Sequence, residues 1–220
     1  MDIDSIVLFI HIACGFVALV TSALSFATKK GPKAHAKVGI AYSFAMLGVG
    51  ISSTILFFFG ASTFLLFIGF FSTFMVMIGW RFGRNRKGEI EKIDKALLGL
   101  GVIGALGLFA LSGQIFVTGE GPLGQGRTFG IVPLVFGIIC TALSVFLFIL
   151  HKAEELPRGK NRIQIHGIFM GSGTIATVTA FTITVLGSNI FTWLGATAIG
   201  TPLIIYNTNL VKKDKIKSDM

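Results

Sequence analysis

The sequence predicts an all-α polytopic bundle of seven transmembrane helices, N-terminus outside and C-terminus in the cytoplasm. Three observations carry this. Only 13% of the 220 residues are charged and the mean hydropathy is +0.81, against about 25% charged residues in a soluble domain. Seven apolar runs approach or exceed the roughly 20 residues that a helix needs to cross the hydrocarbon. The remaining charges fall between those runs, and the basic ones fall almost wholly in alternate connections.

Taken in order, the runs cover residues 6–27, 38–59, 63–80, 96–117, 129–150, 165–186 and 191–210, and none contains Asp, Glu, Lys or Arg. Helix is required because backbone amides in lipid have no other partners, and the period-two alternation of a barrel strand is missing. The first run follows Met1-Asp2-Ile3-Asp4. It lacks the basic start and small-residue cleavage site of a secretory signal, so it is expected to remain as a span.

The connections set the orientation. Lys29, Lys30, Lys33 and Lys37 lie between spans one and two. Arg81, Arg84, Arg86, Lys87, Lys92 and Lys95 lie between three and four. Lys152, Arg158, Lys160 and Arg162 lie between five and six, and Lys212, Lys213, Lys215 and Lys217 follow span seven. The opposite side holds only Arg127 among 19 basic residues. Positive-inside bias assigns the basic side to the cytoplasm of a bacterial-type plasma membrane, with residues 1–211 as the transmembrane domain and 212–220 as a basic cytoplasmic tail. Trp80 and Trp193 sit at span ends, where interfacial anchors belong. The net charge of +9 is thereby read as topology, and the bilayer rather than nucleic acid is the expected partner.

Tight turns at 60–62 and 187–189 join spans two to three and six to seven, while longer basic loops join one to two and five to six. This order suggests a 3+1+3 arrangement, two parallel helix triplets about a linker helix. Cys14 and Cys140 form no CxxC or zinc pattern.

Few polar groups with chemistry lie near the spans. His35 opens span two and His166 opens span six, so both lie at the cytoplasmic mouth at one depth. His35, Gly39 and Tyr42 share a helix face, as do His166, Met170 and Gly173. Paired imidazoles can hold a haem iron or a metal, or relay protons, and His35, His166, Met170 and Tyr42 are the candidate set. The plainer alternative is two interfacial histidines, solvated or capping carbonyls. One haem b is the cofactor such a pair would take; a second would need ligands on the outer side, which offers only His11. His11 and Gln114 are the candidate outer polar site: either they hydrogen-bond each other across spans one and four, or they line a polar pocket open to the outside. His151 is expected to be solvated. Gly167 and Gly171 form a GxxxG, read as a helix-packing face together with Gly99, Gly101, Gly104 and Gly107.

Three segments resemble a bacterial family of polytopic membrane proteins classed only as a domain of unknown function. They are His11-x3-Gly15-x2-Ala18-Leu19, Gly31-x3-His35-x3-Gly39-x2-Tyr42, and His166-x3-Met170. The resemblance implies that His11, His35, His166 and Met170 belong together, without implying an activity. Where that family often carries an arginine two residues after the methionine, this chain has Ser172.

Three function classes remain: a histidine-site protein with a redox, haem or metal role, a small-solute transporter, and a non-enzymatic assembly factor. The transporter would resemble the seven-helix sugar carriers built from parallel triplets, whose proline-glutamine signature is missing here, and no span carries a carboxylate for ion coupling. A retinal receptor is excluded, because span seven has no lysine for a Schiff base.

Overall fold

A computed structural model describes residues 2–31, 33–122 and 124–212. Among them are seven helices: α1 (Ile3–Ala27), α2 (Ala34–Phe58), α3 (Thr63–Arg84), α4 (Lys92–Thr118), α5 (Ile131–Lys152), α6 (Gly159–Leu186) and α7 (Ile190–Lys212). Each is long and apolar enough to cross a membrane. The basic tail from residue 213 onward lies outside the described residues.

Several helices run past their apolar spans at the basic end, because a helix leaving hydrocarbon needs caps rather than apolar side chains. At the start of α4 a capping box pairs Glu91 with Asp94, each side chain accepting from the other's backbone N–H. Asp94, buried at 1% exposure, also accepts from Arg81 Nε at 2.9 Å and from its terminal nitrogen at 3.0 Å. This bidentate pair ties the end of α3 to the start of α4. α6 begins six residues before its apolar run, and Arg162 explains why. Its side chain is 3% exposed, and one guanidinium nitrogen donates to the carbonyls of Phe82 and Gly83 at 2.7 and 2.6 Å. A cation on the last carbonyls of α3 satisfies orphan acceptors and complements the helix dipole. At the other end, residues 127–130 form a 3-10 turn, so α5 starts two residues later than its run.

α3 is the central helix and packs against α2, α4 and α6. α1 lies on α2, α5 on α4 and α7 on α6, with α1 also touching α6. A triplet repeat would place α5 against α6 as α1 lies against α2; α5 packs on α4 instead, so the packing lends the 3+1+3 arrangement no support. Apolar side chains fill the core, Phe71, Phe74, Ile78, Leu108 and Phe169 among them, and they also cover the outside. Ser43, Ser52, Ser53, Ser72, Thr73, Ser112, Thr177 and Thr179 are buried, while Phe9, Phe16, Leu106, Ile149 and Ile199 face outward. Small polar residues inside and bulky apolar ones outside suit a chain whose surroundings are as apolar as its core.

Candidate functional site

The site lies at the basic end, where α2, α3 and α6 meet. Close approach of α6 to α3 depends on two glycines. A Cβ on Gly79 would stand 2.8 Å from the Met170 backbone nitrogen, and one on Gly83 would stand 2.9 Å from His166 Nδ1. With no side chain at either place, His166 brings its Nδ1 edge against α3, and its Nδ1–H donates to the Gly79 carbonyl at 2.7 Å. His35, the second residue of α2, is held from the other side: its Nδ1–H donates to the Ser25 carbonyl near the end of α1 at 3.3 Å. The two ring centroids are 6.3 Å apart, with planes at 88°.

These hydrogen bonds fix the tautomers. A carbonyl only accepts, so each Nδ1 carries the proton, and in the neutral imidazole each Nε2 keeps its lone pair. That is the state in which histidine binds a metal, and the carbonyl partner orients the ring for it. Two imidazoles bound opposite one another at about 2 Å from a metal place their centroids on the order of 6 Å apart. The observed spacing matches that figure.

Both rings line a cavity of about 830 Å³ that runs between α2, α3, α6 and α7. Its walls are mainly apolar, with Trp80, Met170 and Leu203 among them; Lys30, Arg84 and Arg86 lie at its basic end, and no acidic side chain lines it among the described residues. Lys30 Nζ donates to the same Ser25 carbonyl as His35, at 2.7 Å, and lies over the Phe26 ring. Partial burial lowers the Lys30 ammonium from the ordinary lysine range. The Arg84 guanidinium lies 5.2 Å from the centre of the Trp80 ring.

Met170 belongs to this site and Tyr42 closes its inner flank. Tyr42 is 1% exposed and packs with Ala18, Ala45, Met46 and Val76, Met170 lying at the edge of that cluster. Its hydroxyl meets Thr177 Oγ1 at 3.2 Å, and Thr177 donates to the Gly173 carbonyl. Tyr42 is therefore a packed, satisfied residue beside the histidines. Among the described residues no group of three or more His, Cys, Asp or Glu could hold a metal ion.

The outer pairing is not formed. α1 packs on α2 and α6 while α4 packs on α3 and α5, so His11 and Gln114 are not brought together. His11 Nδ1–H instead donates to Ser52 Oγ on α2 at 2.9 Å, and Ser52 donates to the Gly48 carbonyl. Gln114 is exposed on α4. His151 also departs from expectation: its Nε2 is buried without a hydrogen-bond partner. The GxxxG does not act as one packing face, since only Gly171 meets a neighbour, Ile204 of α7, while Gly167 has open space around it and lines the cavity.

Arg162 and Gly79 were not singled out from sequence. Arg162 precedes His166 by four residues and so shares its helix face, a signal present in the sequence. Gly79 had none, because its role depends on which helix lies opposite. No protein-family model matches this chain, and no curated protein or solved structure matches it.

Proposed function

We propose that this chain is an integral membrane protein that holds one b-type haem between His35 and His166, on the cytoplasmic side of the membrane. The observation that carries the reading is the pair itself: two imidazoles 6.3 Å apart by centroid, each tied by Nδ1–H to a backbone carbonyl and each left with an Nε2 lone pair. A bare divalent ion is a poorer fit, since a protein site for one usually supplies three or four ligands. Haem brings four nitrogens of its own and asks the protein for two at most. The apolar walls and the volume of the cavity suit a flat macrocycle, and Lys30, beside His35, is placed to meet an acidic edge group.

The chain's own contributions follow from the geometry. α3 positions His166 through the Gly79 carbonyl, α1 positions His35 through the Ser25 carbonyl, and Gly83 leaves room for the ring. When bound, haem would supply one-electron redox chemistry within reach of the membrane interior. The assignment of the basic end to the cytoplasm rests on charge bias alone.

The test is a haemin titration of detergent-solubilised apoprotein, with His35→Ala and His166→Ala beside it. Expected is a stoichiometric Soret band that shifts on dithionite reduction, with affinity reduced by at least about tenfold in each variant, as for loss of a ligand or its support. Equal binding by the wild type and both variants would sink the proposal.

A further inference from the structure

The cavity extends well beyond the imidazoles. His166 and Val178 both line it and lie twelve residues apart on α6, about 18 Å along the axis. Along this stretch Ile175, Ile199 and Leu203 form an apolar trough between α6 and α7. Val178, Ile199 and Leu203 are also exposed on the outer surface, so the trough is continuous with the apolar exterior. At its basic end stand Lys30, Arg84 and Arg86, with no acidic residue lining the cavity among the described residues.

An apolar trough open to the exterior, with cations gathered at one end, is complementary to an amphiphile with long chains and an acidic head. We propose that the α6–α7 trough binds an anionic phospholipid from the leaflet on the basic side. Its acyl chain lies along Ile175, Ile199 and Leu203, and its phosphate is held by Arg84 and Arg86, beside the Trp80 ring on which Arg84 lies. The trough and its cationic end carry this inference, which does not depend on haem binding although the histidines line the same cavity. A free phosphate would use the same donors but none of the apolar wall.

Trp80 reports on the site directly. Trp80 and Trp193 are the two tryptophans of the chain, so Trp193→Phe leaves Trp80 as the fluorophore. The protein is reconstituted in phosphatidylcholine nanodiscs containing either brominated phosphatidylglycerol or brominated phosphatidylcholine at equal mole fraction. Expected is a quenching preference for the anionic lipid of about fivefold or more, the scale of one engaged cation. Arg84→Gln with Arg86→Gln brings the preference close to one, while His35→Ala with His166→Ala keeps it and loses haem uptake. Equal quenching by both lipids overturns the proposal, as does a preference unchanged in the arginine variant. Relief of the quenching by millimolar inorganic phosphate overturns it in favour of a simple anion site. Should Trp193→Phe not fold, mass spectrometry of lipids retained by the unaltered chain and by the arginine variant gives the same contrast: enrichment of acidic phospholipid in the first alone supports the proposal, and equal retention overturns it.

Discussion

In the proposed site, the capacity of His35 and His166 to act as ligands comes from the carbonyls that hold their Nδ1 atoms. Because both Nδ1 atoms face carbonyls, the apoprotein should show both rings as Nδ1–H tautomers in ¹⁵N NMR of histidine-labelled protein; an Nε2–H tautomer at either would remove the ligand argument. Tyr42 tests the boundary of the site. Tyr42→Phe deletes the bond to Thr177, which in a membrane helix bundle is worth on the order of 0.6 kcal/mol. The expected result is a small fall in thermal stability with haem uptake unchanged. The closeness of the two histidines was legible in the sequence, because both open an apolar span and an even number of spans separates them, which puts them on one side. The partner of His11 was not. A histidine at a given depth meets whichever helix lies beside it, and Ser52 of α2 rather than Gln114 of α4 occupies that place.

At the scale of elements, the site is an α3–α6 contact with α1 and α2 leaning on it. Gly79→Leu would drive a side chain into the Met170 backbone and separate the two helices. Both haem affinity and the unfolding midpoint should fall, whereas Gly167→Leu, at a position with open space, should spare the midpoint. The Arg81–Asp94 pair holds the other side of α3. Asp94→Ala leaves Arg81 with Glu91 and the Glu89 carbonyl and is expected to cost about 3 kcal/mol, the lower end for opening a buried ion pair, read by thermal or denaturant unfolding in detergent. The ends of the helices were less legible than their middles. Apolar runs mark where hydrocarbon lies, but the caps that extend α4 and α6 past it depend on Glu91, Asp94 and Arg162 finding partners in space.

For the whole molecule, the number of helices was legible and their neighbours were not. Length and hydropathy mark seven helices able to cross a membrane, because the bilayer imposes the same requirement on each. Which helix lies at the centre depends on side-chain fit, and in this chain α3, with Gly69 against Ser53 and Phe74 against Gly101, takes that place. The matching order of tight turns and longer basic loops suggested two similar triplets, yet similar connections do not dictate similar packing. Orientation is open to direct measurement: a phosphatase reporter fused after Lys212 should be inactive and one fused near Gly60 active, with the reverse pattern contradicting the positive-inside assignment.

The most direct test of the central claim is electron paramagnetic resonance of the ferric haem-loaded protein. Two imidazole ligands from His35 and His166 should give a low-spin signal that turns high-spin in His35→Ala and in His166→Ala. A high-spin signal in the unaltered chain, or a low-spin signal that persists in both variants, would contradict it.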